Sequence, residues 1–149
     1  MTPRCPGTSG SLAAVLFWLA VHSLFPAGGI VIDAACLTGA ALIGLWAVSV
    51  YLRSPAALRA RRPQDPGQIV IDEWAGMFVS LSGLSYLAGG QVLISFALFR
   101  FFDIIKPYPV SRLEKLPGAA GIMADDLMAG LLARICLSAG LILYELIAA

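Results

Sequence analysis

Residues 30–52 run through apolar side chains with a single charge, Asp33. A stretch of that length and character calls for a bilayer, whose hydrocarbon takes about 20 apolar residues to cross as a helix. A chain of 149 residues forms one domain at most. Further apolar segments occupy residues 12–25, 69–88 and 91–105, and a last one runs from Asp125 to the end of the chain. Only helices or closed barrels satisfy backbone polar groups in lipid. The expected fold is therefore all-α: a small multi-helix bundle, integral to a membrane, with about five apolar helices in one domain over residues 1–149. Charged residues make up 13% of the chain, about half the share in soluble domains, and mean hydropathy is +0.85.

These features exclude several classes of function. A net charge of +1 is not that of a nucleic-acid binder, which presents a strongly basic face. Cys5, Cys36 and Cys136 lack C-x-x-C spacing, so neither a disulfide framework nor a zinc site is expected. No C-x5-R sequence follows any of them, which removes a cysteine phosphatase. The first apolar run follows Arg4 and has the look of a signal peptide, but the later hydrophobic segments make it one helix among several.

The charges that remain are not scattered. Residues 96–110 read FALFRFFDIIKPYPV, with Arg100, Asp103 and Lys106 at three-residue intervals before Pro107 and Pro109. On a helix that spacing places all three along one side. Mutual neutralisation and a proline stop would account for the stripe alone. Two more acidic pairs, Asp72-Glu73 and Asp125-Asp126, call for more. If all five segments cross, the loops at 53–68 and 106–124 share a face with the N-terminus, and that face carries every basic residue except Arg134. The positive-inside rule makes it cytoplasmic. The same assignment gathers Asp72, Glu73, Asp103, Asp125 and Asp126 at one membrane surface.

Other positions have simpler readings. Ser11 suits an N-cap, and Asp125-Asp126 at the start of a helix suits the macrodipole. Gly89-Gly90 marks a turn. Gly76 and Gly130 each follow an aspartate by four residues, so a second helix backbone can come close there. His22 is expected to be a hydrogen-bonded interfacial residue rather than a catalyst. Arg134, about 12 Å below Asp126 at 1.5 Å per residue, needs a partner, and a buried carboxylate would serve.

Five carboxylates in one low-dielectric place cannot all stay ionised and unpaired. A divalent cation relieves them, and an oxygen-only donor set suits Mg²⁺ or Mn²⁺ rather than zinc. Arg100 and Lys106 supply a fork and a point charge for a phosphate. Thr8 and Ser11, within the stretch Gly7–Ser11, add hydroxyls near a helix N-terminus. Adjacent acidic residues on a helix point about 100° apart, so each pair is expected to give one direct ligand and one supporting group. A membrane surface, a metal and basic residues together suggest phosphoryl chemistry on a lipid headgroup.

Four blocks in order, Pro6-Gly7-Thr8-x-Gly10-Ser11, Asp72-Glu73-x-x-Gly76, Phe99-Arg100-x-Phe102-Asp103-x-x-Lys106-Pro107-x-Pro109 and Gly121-Ile122-Met123-x-Asp125-Asp126-x-x-Ala129-Gly130, resemble the phosphatidylglycerophosphatase A family. The resemblance implies Mg²⁺-dependent removal of the terminal phosphate of phosphatidylglycerophosphate at the bacterial inner membrane. It also implies Asp72, Glu73, Asp103, Asp125 and Asp126 as the acidic, metal-binding site. No D-x-D-x-T/V motif is present for an aspartyl-phosphate enzyme of the haloacid-dehalogenase type, and His22 stands alone where two histidines would be needed. Water activated by the cation is the expected nucleophile, with attack by a carboxylate as the alternative. The D-G-x2-A-R pattern of a headgroup transferase is absent. A small transporter or assembly protein would instead carry its charges near mid-membrane.

Overall fold

Apolar helix formers and the lack of any alternating strand pattern leave one kind of element. The computed structural model describes residues 6–54 and 70–148. Within them lie α1 (Pro6–Leu24), α2 (Gly29–Leu52), α3 (Ile71–Leu81), α4 (Gly89–Ile105), α5 (Val110–Leu113) and α6 (Ala119–Ala148). Cys5 and most of the polar loop at 53–68 fall outside the described residues.

The all-α expectation holds; the count of about five apolar crossings does not. Among the described residues three helices are long and apolar enough to span, over Gly7–Leu24, Gly29–Leu52 and Ala119–Ala148. The difference lies in α3 and α4. The apolar run at 69–88 breaks after 11 helical residues, about 16 Å of rise. Ser82 leaves helical geometry with ψ 130°, and Gly83 turns the chain with φ +72°, a conformation open to glycine. Gly89 and Gly90 begin α4 rather than forming the turn, which comes before them. α4, at 17 residues, carries Arg100 and Asp103 in its last turns. The sidedness argument that assumed five crossings therefore loses its premise.

α1 also starts earlier than expected. The Gly-Ser stretch is its first turns, so Ser11 is a helix-interior residue whose hydroxyl donates to the Gly7 carbonyl at 2.9 Å, not an N-cap. α6 likewise begins at Ala119, which puts Asp125-Asp126 in its second turn and rules out simple capping of the helix end.

The short helix α3 is the hub, packed against α6, α2, α1 and α4. Its Ala75, Gly76, Met77, Phe78, Ser80 and Leu81 are buried. Around it, Trp18, Phe99, Val48 and Val110 are fully buried. Small residues let backbones meet: a Cβ on Gly76 would lie 2.5 Å from the Asp126 carbonyl oxygen, and one on Gly130 would strike the Gly76 carbonyl. Ser80 and Ser95 join α3 to α4 through hydroxyls 2.5 Å apart, and the Ser95 hydroxyl donates to the Ser80 carbonyl at 3.0 Å. Exposed Leu16, Leu42, Trp46, Leu93, Ile135 and Ile142 give the outer surface the apolar belt that lipid requires.

At the end of the bundle where α2 begins, Asp33 ties three elements together. It accepts from Trp18 Nε1 at 2.7 Å and from the Gly83 amide at 2.8 Å, and His22 Nε2 lies 3.2 Å away. His22 Nδ1 donates to the Trp18 carbonyl at 3.1 Å. His22 is thus hydrogen-bonded, as expected, and buried in a polar staple at this end of the bundle. Arg134 makes no ion pair among the described residues; it lies beside Gly83, and its Nη1 is buried without a hydrogen-bond partner there.

Candidate active site

The first turns of α1 and α3, the last turns of α4 and the second turn of α6 meet at the opposite end of the bundle from Asp33. Each element contributes charge for a local reason. Asp72 and Glu73 occupy the first turn of α3, where the Asp72 carboxylate accepts the Glu73 N–H at 3.0 Å and suits the helix dipole. Asp125 does the same for the Asp126 N–H at 3.0 Å. The sequence stripe on α4 splits in two. Arg100 and Asp103 stay on the helix and pair at 2.6 Å. Lys106 lies beyond the helix end, just before Pro107, with φ +47°. That turn aims its ammonium away from the stripe, to Asp125 at 2.5 Å and Glu114 at 3.2 Å.

Four carboxylates then face one another. Asp126 stands against Asp103, Asp72 and Asp125, and Asp72 against Asp125 and Asp103. Burial pushes the Asp72 carboxyl up to about 6, and the negative charges of Asp125 and Asp103 add to the rise. Burial alone would lower the Lys106 ammonium, but its bonds to Asp125 and Glu114 outweigh that and lift it above the usual lysine range.

Glu73 lies on the other flank of Arg100, 3.9 Å from Nη1. Its carboxylate rests on the Gly7–Gly10 face of α1, where a Cβ on either glycine would collide with it. The glycines clear a helix face for Glu73 and for the Arg100 guanidinium, 3.1 Å from the Cβ position of Gly7. Ser11 is fully buried and accepts from Arg100 Nη1 at 3.4 Å, so it steadies the guanidinium. Thr8 is exposed on α1. Arg100 Nε is buried with no hydrogen-bond partner among the described residues, a donor left over for an anion. The structure thus brings together Asp72, Glu73, Arg100, Asp103, Lys106, Ser11, Asp125 and Asp126, and leaves Thr8 on the rim.

The donor chemistry fits a hard divalent cation: oxygen only, with excess negative charge that Asp72 already registers. Among the described residues no three His, Cys, Asp or Glu side chains form a ready-made shell. Mg²⁺ does not need one, because it keeps several waters and takes one or two carboxylates.

Asp33 was legible as an odd charge in an apolar run, yet its role escaped sequence reasoning. The available signal was that an ionisable residue inside a span needs partners; the partners lie far off in sequence, Trp18 and His22 on α1 and the Gly83 amide in the turn after α3.

A helical membrane protein that holds acids and bases together at one end of its bundle, with apolar helices below, belongs to the class that works on charged headgroups. Comparison with known proteins narrows the class. The family model for phosphatidylglycerophosphatase A matches residues 1–141. A phosphatidylglycerophosphatase A of Haemophilus influenzae is 38% identical over 131 residues, covering 87% of this chain and 75% of the relative. That of Escherichia coli K12 is 32% identical over 146 residues, covering 97% and 76%. A Bacteroides thetaiotaomicron protein provisionally named phosphatidylinositol-3-phosphatase is 34% identical over 137 residues, covering 87% and 79%. No solved structure matches the chain significantly. The chain belongs to the phosphatidylglycerophosphatase A family and is a lipid phosphatase of the membrane.

Proposed function

We propose that the protein hydrolyses the terminal phosphomonoester of phosphatidylglycerophosphate, giving phosphatidylglycerol and phosphate, with Mg²⁺ at the carboxylates. The observation that carries this is the meeting of Asp72, Asp103 and Asp126 from three helices beside Arg100 and Lys106. One or two of Asp72, Asp103 and Asp126 would hold the cation directly and the rest through its waters; when bound it supplies Lewis-acid charge and a more acidic water. Glu73 and Asp125 would hold the bases in place, since each stands against one: Glu73 near Arg100, Asp125 bonded to Lys106.

In this reading Arg100 and Lys106 bind the phosphoryl oxygens and offset the charge that grows as the ester bond breaks. Water bonds to phosphorus, the glycerol oxygen leaves and takes up a proton, and phosphate is released. A carboxylate of this cluster would accept the proton of that water and return it to the leaving oxygen. The basic residues Arg53, Arg100, Lys106, Arg112 and Lys115 lie at or near this end of the described bundle, which supports a site on the cytoplasmic face of the bacterial inner membrane.

The name of the Bacteroides relative favours a second substrate, a phosphorylated inositol lipid. Phosphate release from the two lipids, each with Mg²⁺ and with chelator, decides between them. The proposal expects Mg²⁺-dependent release from phosphatidylglycerophosphate, lost in Asp103→Asn at unchanged expression. Preference for the inositol lipid, or full activity in Asp103→Asn, would overturn it. Oxygen from labelled water should appear directly in the phosphate, and an acid-stable phosphoenzyme would contradict attack by water.

A further inference from the structure

One apolar cleft lies in the membrane-facing body of the protein, with Ile71, next in sequence to Asp72, among its lining residues. α1 and α2 meet along little of their length because α3 packs between them. The groove left over has a volume of about 360 Å³, with Phe17 on one wall, Gly39 and Ile43 on the other, and Ile71, Trp74 and Phe78 as its floor. Phe17 stacks on that floor with ring centroids 5.4 Å from Trp74 and 6.2 Å from Phe78. Its upper end is Ile71, the residue immediately before Asp72. Its wall on α2 extends from Ile43 to Ala35, about 12 Å of helix rise, close to the roughly 15 Å depth of one leaflet. No atom lies within 4 Å of a Cβ built on Gly39, so the groove is open at that point.

We propose that this groove holds one acyl chain of the phospholipid substrate. The inference rests on the phosphate binding among Asp72, Arg100 and Lys106, as argued above. A lipid whose monoester lies there has its glycerol at the groove's mouth, and an apolar channel one leaflet deep continues from that point. Lipid tails are as apolar as the groove, so moving a chain from the bilayer into it gives little hydrophobic gain. The groove acts by orientation. It fixes the glycerol relative to Asp72 and so presents the ester bond to the carboxylates. Phe17 and Gly39 are then specificity-determining positions for the chain, outside the acid-base machinery.

The test compares kcat/KM for a long-chain diacyl phosphatidylglycerophosphate and for its short-chain, water-soluble counterpart, in the same detergent. Gly39→Leu fills the groove. Gly140→Leu, on α6 where an added Cβ also meets nothing, is the control. Gly39→Leu should lower the long-to-short ratio by roughly tenfold or more while activity on the short-chain substrate persists, and Gly140→Leu should leave the ratio alone. An unchanged ratio in Gly39→Leu overturns the groove and leaves the headgroup site standing. If Gly39→Leu loses both activities, Phe17→Ala decides: a widened groove should accept a branched chain better, and unchanged chain preference overturns the proposal. Wild-type protein that releases phosphate from neither substrate would refute the headgroup site itself, a distinguishable result.

Discussion

Gly76→Ala places one methyl group between the two helices that carry Asp72 and Asp126. The new Cβ would lie 2.5 Å from the Asp126 carbonyl oxygen and 2.7 Å from a Phe99 ring carbon. The first distance is about 0.9 Å inside the 3.4 Å at which ordinary contact begins. The oxygen belongs to backbone and cannot rotate away, so α3 and α6 must part by nearly that amount. Overpacking of this kind costs about 1–3 kcal/mol; alanine's better helix propensity returns about 1 kcal/mol. Net stability should fall by no more than about 2 kcal/mol. Activity should suffer far more, because Asp72 is one turn from Gly76 and Asp126 is the residue struck. A displacement near 1 Å is worth about 100-fold in rate. Phosphate release and thermal unfolding in the same detergent measure both effects, with Gly140→Ala as the lipid-facing comparison. A folded Gly76→Ala protein with activity within about threefold of wild type would refute the claim that this helix contact sets the site.

The Asp72 carboxyl is raised from 3.8 to about 6, so the metal-free fold favours its protonated form. That contribution is full below pH 4 and is lost as pH rises through about 6, to a ceiling of about 3 kcal/mol. Thermal scans in chelator should therefore show falling stability from pH 4 to 7, and Mg²⁺ should restore it; a flat profile counts against a charge-crowded site. Asp33→Ala removes the acceptor of Trp18 Nε1 and of the Gly83 amide, which should cost about 3 kcal/mol or more. Its melting temperature should drop while kcat/KM, measured well below that temperature, stays near wild type. Arg100→Lys keeps the charge but loses the planar guanidinium, whose Nη1 reaches both Asp103 and Ser11; phosphate release should fall roughly 100-fold, and unimpaired turnover would remove Arg100 from the phosphate.

Much of the site was legible because its residues are chemically out of place. Charges are rare in this chain, so Asp72, Glu73, Arg100, Asp103, Lys106, Asp125 and Asp126 stood out against apolar surroundings. The Asp-to-Gly spacing at Asp72/Gly76 and Asp126/Gly130 marks two places where a second helix backbone can come close, and the structure sets α3 and α6 against each other there. Lys106 was misplaced because three-residue spacing assumes an unbroken helix, and the chain leaves helical geometry there, before Pro107. Ser11 suits an N-cap, and Gly7–Ser11 a place outside the helix, because glycine and serine favour non-helical backbone locally. Only the tertiary structure shows Glu73 and Arg100 lying where side chains on Gly7 and Gly10 would be. The length of α3 was hidden for a similar reason. Hydropathy cannot separate a spanning helix from a short buried one when the turn that ends it, at Ser82 and Gly83, is closed by a carboxylate fifty residues away.

Loading the purified protein with Mn²⁺, a spectroscopic stand-in for Mg²⁺, and mapping its anomalous scattering would test the central claim most directly. The peak should lie among Asp72, Asp103 and Asp126, about 2.0–2.3 Å from one or two of their carboxylate oxygens, with Arg100 and Lys106 close by. A peak elsewhere, or none at all in protein that Mn²⁺ renders active, would contradict the account.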